Sequence, residues 1–217
     1  MSLYWLFAFC AGAYLFGNIS FGVILSKTLF KTDVRNMGSG GTGATNVMRN
    51  FGTKWGMVIM FIDIFKGAIP TIIAGLAFGG LGHGNAHAVI AMYACALSTI
   101  AGHCFPVFMG FRGGKGIATT IGAFAVINPW SIPWFALCFL FGIYFDYASI
   151  AAILYVTVFV IWEGTMYTPP LAVYCMLVAI WVLIMFMHRK NIYRLLAGKE
   201  KYALFGKKRN KIAYDKK

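Results

Sequence analysis

The stretch LAVYCMLVAIWVLIMFM at residues 171–187 decides the fold class, because it contains no charged side chain and is followed at once by His188, Arg189 and Lys190. An apolar run of this length that ends in basic residues is typical of a helix that crosses a membrane. Six further apolar segments precede it, at residues 3–25, 56–78, 86–108, 117–128, 132–145 and 148–162. The sequence therefore predicts an all-α, polytopic transmembrane helix bundle.

The composition agrees with a membrane protein. The chain has 217 residues, of which 60% are hydrophobic and only 12% are charged, and its mean hydropathy is +0.74. These values exclude a soluble α/β enzyme, a disordered chain and an outer-membrane barrel. Segments 117–128 and 132–145 are short and are separated by two prolines, so they fit either two spans or one re-entrant hairpin. We therefore expect seven helices, within a range of five to seven.

The basic residues are concentrated in alternate loops. Every Lys and Arg except Lys66 lies on the same side of the membrane as residues 27–55, and the connections on the other side contain none. The positive-inside rule then places the N-terminus outside and the C-terminus in the cytoplasm. The net charge of +13 thus reflects topology, and we expect no nucleic-acid partner. Glu163 is the one charged residue that we place in an outer loop.

The arrangement of the apolar segments predicts one domain followed by a tail. We assign residues 1–198 to the transmembrane domain and residues 199–217 to a basic cytoplasmic tail, which we expect to be solvated and attracted to anionic lipid. No basic residue precedes the first apolar run, and that run is longer than the core of a signal peptide. We expect it to remain as the first helix.

Residues 38–49, GSGGTGATNVMR, form the first polar stretch. Its closely spaced glycines let the backbone turn sharply and expose successive N–H groups, which makes an anion cradle. Side-chain donors add to it: Ser39, Thr42, Thr45 and Arg49. The dinucleotide pattern GxGxxG is formally matched by Gly38, Gly40 and Gly43. That site needs a βαβ unit, however, and none can be drawn here; the plain alternative is a flexible linker.

Residues 102–120, GHCFPVFMGFRGGKGIATT, form the second polar stretch. Glycines around Lys115 at the start of an apolar helix indicate phosphate binding, because amides, a helix N-terminus and a mobile cation come together. The full P-loop pattern fails, since Met109 occupies the first glycine position and Gly116 replaces the Ser or Thr that would hold magnesium. We expect phosphate binding without nucleotide hydrolysis. The alternative is that Arg112 and Lys115 only anchor the interface.

Residues 188–200, HRKNIYRLLAGKE, form the third polar stretch. The spacing of His188, Asn191 and Leu195 places them on one helical face, with two polar side chains at the end of the bundle. Alternatively, His188 is only a snorkelling cap. Asp63 and Lys66 are three residues apart within an apolar segment, and we interpret them as a structural ion pair rather than as substrate ligands. Together the three stretches indicate a small organophosphate substrate. The surrounding lipid suggests that the second substrate or the product carries an acyl chain.

These three stretches resemble the signature motifs of the bacterial acyl-phosphate glycerol-3-phosphate acyltransferases. The segments YLFGNISFGVILSK at 14–27 and DIFKGAIP at 63–70 are similar to the same family. The resemblance implies a protein of the bacterial inner membrane with its motifs facing the cytoplasm. It implies transfer of a fatty acyl group from acyl phosphate to the 1-hydroxyl of glycerol 3-phosphate, giving lysophosphatidic acid for phospholipid biosynthesis. It also implies no metal or other cofactor, and a separate acyltransferase as the partner that supplies the donor.

The resemblance also assigns roles to residues. It places five around the glycerol phosphate: Ser39, Arg49, Lys115, His188 and Asn191. It marks a second set of residues without deciding which of them contact the substrate and which support the loops: Thr45, Asn46, His103, Gly113, Gly114 and Glu200. We count Gly40, Gly43 and Arg112 with the substrate-binding residues, and His103 and Lys115 as the catalytic candidates. Two positions depart from the family pattern, since Gly41 stands where Asn is usual and Arg112 where Lys is usual.

The chemistry that the resemblance implies requires no covalent intermediate. Acyl phosphate is already activated, so the protein must align a hydroxyl with the carbonyl and stabilise developing charge. Consistent with this, the sequence has neither a GxSxG motif nor the HxxxxD motif of other glycerolipid acyltransferases. His103 is a candidate general base, although the resemblance favours a phosphate oxygen of the donor. Two rival functions are weaker, because a transporter needs polar residues along a through-path and a phosphatidyltransferase needs clustered carboxylates for a metal.

Overall fold

The computed structural model describes residues 2–200, and the regular structure in this part of the chain is helical. The helices are α1 Leu3–Gly17, α2 Phe21–Leu29, α3 Ala44–Phe51, α4 Thr53–Phe78, α5 Ala86–Cys104, α6 Ile117–Ile127, α7 Ser131–Phe145, α8 Ala148–Met166 and α9 Leu171–Leu196. Short 3-10 turns lie at Val34–Asn36 and Val107–Met109. The prediction of an all-α transmembrane bundle is confirmed. Most of the predicted tail lies outside the described residues, so the division at residue 198 stays a prediction.

Within the described residues, five helical stretches are long and apolar enough to cross a membrane. They are Leu3–Leu29, Thr53–Phe78, Ala86–Met109, Ala148–Met166 and Leu171–Leu196. Helices α6 and α7 have 11 and 15 residues, which at 1.5 Å per residue is about 16 and 22 Å. Neither alone covers a hydrocarbon core of about 30 Å. The nine α-helices of the described residues exceed the predicted five to seven, because the first apolar segment is broken and α3 lies in a polar stretch. The five long stretches and the two short apolar helices correspond to the seven predicted apolar segments.

Two predicted boundaries were wrong. The first apolar segment was expected to be one helix, but Asn18–Ser20 interrupt it between α1 and α2. Glu163 was expected in an outer loop, but it lies inside α8 and is fully buried. A buried carboxylate is tolerated in a helix when hydrogen-bond donors surround it, and Glu163 has such donors. The gap between α1 and α2 is tolerated for a similar reason, because the backbone groups that it leaves unpaired form hydrogen bonds with side chains.

Helix α6 is held against α4 by two glycines. A Cβ atom on Gly67 would lie 1.9 Å from the carbonyl oxygen of Thr119, and one on Gly122 would lie 1.8 Å from that of Ile64. Such distances leave no room for a side chain, so the two backbones are in direct contact, as is common between membrane helices. Because α6 begins two residues after Lys115, this contact also fixes the position of the second polar stretch.

The end of the bundle opposite the polar stretches is organised by Glu163. Its Oε1 accepts a hydrogen bond from the Tyr93 hydroxyl at 2.7 Å, and its Oε2 accepts one from Asn128 Nδ2 at 2.9 Å. His83 Nε2 also contacts Oε1, and the His83 ring stacks on Tyr167 with centroids 3.9 Å apart. One carboxylate therefore joins the α4–α5 connection, α5, the end of α6 and α8.

Candidate active site

The three polar stretches meet at one end of the bundle, around two adjoining cavities of about 890 Å³ and about 210 Å³. Six residues line both cavities: Ser39, Gly41, Arg49, Gly114, Lys115 and Asn191. The larger cavity is also lined by Gly40, Arg112 and Gly113. The smaller cavity is also lined by Gly43, Thr45, Asn46, His103 and His188. The structure thus brings every residue predicted to bind substrate or act in catalysis to one or both cavities. Thr42, which the sequence also suggested as a donor of the first polar stretch, is buried and lines neither cavity.

Asn46 organises the first polar stretch. Its Nδ2 donates to the backbone carbonyls of Val34, Met37 and Gly41 at 3.0, 3.1 and 2.8 Å. Its Oδ1 accepts the backbone N–H of Ser39 at 2.9 Å. The side chain is 3% exposed and is saturated by the loop around it. The geometry therefore gives Asn46 the loop-support role, and Asn46 holds Ser39 at the cavity.

Arg35 links the first two polar stretches. The Asp33 carboxylate accepts from Arg35 Nη2 at 2.7 Å, while Arg35 Nη1 donates to the carbonyl of Met109 at 3.2 Å. The hydrogen bond from Arg35 holds the pKa of Asp33 well below its usual range. Asp33 therefore remains ionised at neutral pH, and Arg35 serves as a fixed cation in the cavity wall.

The second polar stretch is packed on His103. Gly114 donates its N–H to the carbonyl of His103 at 3.1 Å, and a Cβ on Gly114 would lie 2.1 Å from His103 Nε2. Only glycine fits between the ring and the cavity. Lys115 follows and is partly buried. Burial lowers the pKa of Lys115 to about 8, opposed by the charge of Glu200 and assisted by those of Arg194 and Arg49.

The third polar stretch continues α9 beyond the apolar segment. His188 and Asn191 are both buried on the same side of the helix, which confirms the shared face predicted from their spacing. His188 Nδ1 lies 2.9 Å from the carbonyl oxygen of Ile184. Because a carbonyl can only accept, Nδ1 carries the proton and Nε2 is left as the unprotonated nitrogen of the neutral ring.

Glu200 places a negative charge at the smaller cavity. Its carboxylate accepts from Asn191 Nδ2 at 2.7 Å and from Arg194 Nε at 2.7 Å. Ser149 Oγ, near the start of α8, lies 3.3 Å from the same carboxylate. Glu200 therefore ties the end of α9 to α8 and fixes Asn191 at the boundary between the cavities.

Cations dominate the larger cavity. Its lining includes Arg35, Arg49, Arg112, Lys115, Arg189, Lys190 and Arg194. Burial lowers the pKa of Arg49, while the charge of Glu200 opposes this shift, and a guanidinium stays protonated in either case. A cavity lined by this many cations favours anionic ligands.

The smaller cavity has an apolar wall that sequence reasoning missed. Its apolar lining comes from α4, α6, α7 and α8: Met60, Ile117, Ile121, Phe135, Phe139, Ala148, Ala151 and Ala152. Phe135 and Phe139 stack on each other at 5.6 Å between centroids. Nothing in the sequence distinguishes these residues from lipid-facing ones, because only the packing of four helices brings them together. The result is a cavity with a polar side and an apolar side.

Asp63 joins His103 at the floor of the smaller cavity. The predicted Asp63–Lys66 ion pair is confirmed, with Asp63 Oδ1 3.2 Å from Lys66 Nζ. The same oxygen lies 3.5 Å from His103 Nδ1. Asp63 and His103 both line the cavity. The sequence indicated the ion pair by its spacing but gave no sign of the histidine, which comes from a different helix.

Comparison with known proteins supports one family. The family model described as glycerol-3-phosphate acyltransferase matches residues 7–198. A glycerol-3-phosphate acyltransferase of Aquifex aeolicus is 39% identical over 193 residues, covering 87% of this chain and 94% of its own. One from Halalkalibacterium halodurans is 36% identical over 205 residues, covering 92% and 95%. The crystal structure of PlsY (YgiH), an integral membrane glycerol 3-phosphate acyltransferase, in its glycerol 3-phosphate form has a TM-score of 0.82 at 35% identity, covering 91% of this chain and 94% of that chain.

This chain belongs to the glycerol-3-phosphate acyltransferase family. The resemblance found in the motifs is thereby confirmed. The same neighbour was also solved in a lysophosphatidic acid form, with a TM-score of 0.79 at 34% identity. In this family member, no group of three His, Cys, Asp or Glu side chains within the described part of the chain could hold a metal ion.

Several residues of this family member's site escaped sequence reasoning. Arg35 lies in the basic loop before the first polar stretch, and its charge alone did not separate it from Lys27 and Lys31. Ser149 had no signal in the sequence, although it lines the smaller cavity and contacts Glu200. Such contacts depend on tertiary packing between distant segments.

Proposed function

We propose that this family member transfers a fatty acyl group from acyl phosphate to the 1-hydroxyl of glycerol 3-phosphate, giving lysophosphatidic acid. The observation that carries the proposal is the union of a basic cavity with a smaller, apolar-walled cavity through six shared residues. One reactant of this reaction is a small organophosphate, and the other joins a phosphate to an acyl chain. The relative solved with glycerol 3-phosphate and with lysophosphatidic acid supports the acceptor and the product.

We place glycerol 3-phosphate among Ser39, Arg49, Lys115, His188 and Asn191, with the unprotonated Nε2 of His188 as an acceptor for a glycerol hydroxyl and the other four residues as donors. Arg49 supplies a planar fork of donors and Lys115 a mobile ammonium, and both kinds of contact are strengthened by charge. Asn46 holds the glycine-rich loop through the Ser39 backbone, which places the Ser39 hydroxyl at the cavity as a further donor. These groups fix one end of glycerol 3-phosphate so that its 1-hydroxyl reaches towards the shared boundary of the cavities.

The donor uses both cavities. Its acyl chain lies along the apolar wall formed by α4, α6, α7 and α8, which removes the chain from water. Its phosphate lies in the basic cavity with that of the acceptor, where cations such as Arg112 and Lys190 offset the charge of the two phosphates. The carbonyl carbon then sits between the chain and the phosphate, beside the acceptor hydroxyl.

Transfer is direct. The hydroxyl oxygen forms a bond to the carbonyl carbon, and the bond from that carbon to the bridging phosphate oxygen breaks, so inorganic phosphate leaves with the electron pair. A phosphate oxygen of the donor, which the family resemblance favours as the base, accepts the hydroxyl proton and leaves with it as inorganic phosphate. His103, which lines the smaller cavity, is the alternative general base. Lys115 stabilises the charge that develops on the leaving group.

We also propose the cellular setting. The protein lies in the bacterial inner membrane with the site facing the cytoplasm, where it contributes to phospholipid biosynthesis and receives its donor from a separate acyltransferase. The loop charge asymmetry supports this orientation. On a cysteine-free background, a Gly84→Cys variant should react with an impermeant thiol reagent in intact cells and a Lys54→Cys variant should not. The reverse labelling pattern would contradict the orientation.

The direct test uses purified protein in detergent with glycerol 3-phosphate and either palmitoyl phosphate or palmitoyl coenzyme A. Palmitoyl phosphate should give lysophosphatidic acid and inorganic phosphate in equal amounts, and the thioester should give none. Product from the thioester alone would overturn the donor assignment and leave the acceptor assignment standing. Lack of product with both donors would overturn the proposed reaction.

A further inference from the structure

The turn before the first polar stretch is built around a charge pair. Asp33 precedes the 3-10 turn Val34–Asn36, and its Oδ1 accepts the backbone N–H of Arg35 at 3.0 Å. The same carboxylate accepts from Arg35 Nε at 3.0 Å and from Arg35 Nη2 at 2.7 Å. Two nitrogens on two carboxylate oxygens fix the plane of the guanidinium. The third nitrogen, Nη1, is thereby held in one direction as well.

Arg35 Nη1 reaches the second polar stretch. It donates to the carbonyl of Met109 at 3.2 Å, in the loop that leads to Lys115. The two residues after Met109, Gly110 and Phe111, both have a positive φ, of 63° and 59°. A positive φ is unfavourable for a bulky residue such as phenylalanine, so contacts with the rest of the protein must hold the loop in this shape. The hydrogen bond from Arg35 is one of these contacts.

The same turn is tied to the glycine-rich loop that carries Ser39. Asn46 Nδ2 donates to the carbonyl of Val34 in the turn and to the carbonyl of Gly41 in the loop. Gly40 packs on the turn, because a Cβ there would lie 3.4 Å from the carbonyl oxygen of Arg35. The backbone of Arg35 therefore belongs to the first polar stretch, while its side chain holds the second.

Charge alone does not account for the pair. Arg35 lines the larger cavity, but the Asp33 carboxylate offsets its positive charge at hydrogen-bond distance. A carboxylate beside an anion site weakens the binding of anions. A protein that used Arg35 only as a cation would bind phosphate better without Asp33. The geometry that Asp33 imposes on Arg35 explains why the two occur together.

We propose that Arg35, held by Asp33, is a positioning residue for acyl transfer, and that it fixes the loop carrying Lys115 relative to the loop carrying Ser39. The proposal rests on the proposed function, in which Ser39 binds the acceptor and Lys115 stabilises the leaving phosphate. Direct transfer needs the acceptor hydroxyl and the donor carbonyl in close alignment, so a small displacement of one loop lowers the rate steeply. The pair therefore acts on the chemical step through the spacing of the two loops.

The test compares two substitutions that change the charge of the site in opposite directions. Asp33→Asn removes a negative charge and Arg35→Gln removes a positive one, and each breaks the pair. Both should lower kcat about tenfold to a hundredfold, while KM for glycerol 3-phosphate changes less than threefold. The double variant should be no slower than Arg35→Gln alone, because Asp33 acts through Arg35. If Asp33→Asn lowers KM and leaves kcat unchanged, Arg35 acts only by its charge and the proposal is overturned.

Two further variants sharpen this test. Arg35→Lys keeps the charge but loses the planar fork, so it should be slow as well, and full activity would contradict the proposal. Lys27→Ala is the matched control, because Lys27 Nζ also lies 3.4 Å from Asp33 Oδ2 but the side chain is 55% exposed and lines neither cavity. Its kcat should stay within twofold of wild type. A loss as large as that of Arg35→Gln would show that any change around Asp33 disturbs the site, and would overturn the assignment to Arg35.

A distance measurement reports the spacing of the loops independently of the reaction rate. On a cysteine-free background, spin labels are attached at Lys31→Cys and Phe108→Cys, two exposed positions that line neither cavity. Pulsed electron paramagnetic resonance should give one narrow distance distribution when the pair is intact. The distribution should be shifted or broadened by Asp33→Asn and by Arg35→Gln, and distributions that match the intact pair would overturn the proposal.

The two levels of the argument can fail separately. If wild-type protein makes lysophosphatidic acid from palmitoyl phosphate while Asp33→Asn and Arg35→Gln keep its kcat, only the positioning role of Arg35 is refuted. If wild-type protein makes no product, the proposed function itself is refuted.

Discussion

The two ends of the bundle treat buried charge in opposite ways. At one end, Glu163 is a single carboxylate surrounded by donors from Tyr93, Asn128 and His83. At the other end, cations from all three polar stretches line one cavity, and the carboxylates of Asp33 and Glu200 pair with only two of its cations, Arg35 and Arg194. Saturated charge stabilises the fold, whereas charge in excess of its protein partners is free to bind a ligand. The difference locates the chemistry at the second end.

The largest expected effect is at the basic end. Under the proposed function, Arg49→Ala and Lys115→Ala each remove a charge-assisted hydrogen bond to phosphate, worth about 1.5 to 3 kcal/mol. We expect kcat/KM for glycerol 3-phosphate to fall on the order of tenfold to a hundredfold or more. Steady-state assay of purified variants, with folding checked by thermal unfolding, makes the measurement.

Lys54→Ala is the matched control for these variants. Lys54 is an exposed cation in the same stretch of chain, beside the Trp55 ring, and it lines neither cavity. Its loss should leave kcat/KM within twofold of wild type. If Arg49→Ala, Lys115→Ala and Lys54→Ala all lowered kcat/KM to the same extent, only the total positive charge of this end would matter. The assignment of Arg49 and Lys115 to phosphate binding would then be refuted.

A substitution at the opposite end should lower the stability of the fold and leave the rate of acyl transfer nearly unchanged. Glu163→Gln replaces one acceptor oxygen by an N–H donor, so a donor–donor contact arises with either Asn128 or the Tyr93–His83 side. Leaving a buried group unsatisfied costs about 1 to 3 kcal/mol, and the apparent Tm should fall by several degrees. The activity of the remaining folded protein should stay within about twofold of wild type. A strong loss of kcat at an unchanged Tm would contradict the conclusion that Glu163 stabilises the fold and takes no part in catalysis.

The smallest expected effect is a pH dependence. Lys115 has a pKa lowered to about 8 by burial, so it is charged below that pH and becomes neutral above it. Phosphate affinity, and with it kcat/KM, should therefore decline as pH rises through about 8. Lys115→Arg keeps its charge throughout this range and should show a flat basic limb, although its altered geometry lowers the plateau. Identical basic limbs in both proteins would contradict the assignment.

The features that sequence predicted are those set by local chemistry. Apolar length and basic loops predict the membrane bundle, because the bilayer imposes both directly. Glycine-rich turns beside cations predict phosphate sites, since the donors come from consecutive residues. For that reason Ser39, Arg49 and Lys115 could be named as candidates before the structure, whereas Asn191 came from its helical spacing with His188 and from the family resemblance. All four lie at the cavities.

The features that sequence missed depend on contacts between distant segments. Glu163 looked like a loop residue because its donors come from three other parts of the chain. Phe135 and Phe139 resembled lipid-facing residues until four helices placed them around a cavity. The break at Asn18–Ser20 was hidden for the same reason, since Lys66 satisfies it from another helix. Side-chain partners far away in sequence overrode the local pattern in each case.

The central claim is that both substrates occupy the joined cavities together and that the acyl group passes directly between them. The most direct measurement is the initial rate of lysophosphatidic acid formation over a range of glycerol 3-phosphate concentrations, at several fixed concentrations of palmitoyl phosphate. Reciprocal plots should intersect, as expected of a ternary complex, and mass spectrometry should find no acyl adduct when the donor is supplied alone. Parallel lines together with a catalytically competent acyl-enzyme would contradict the account.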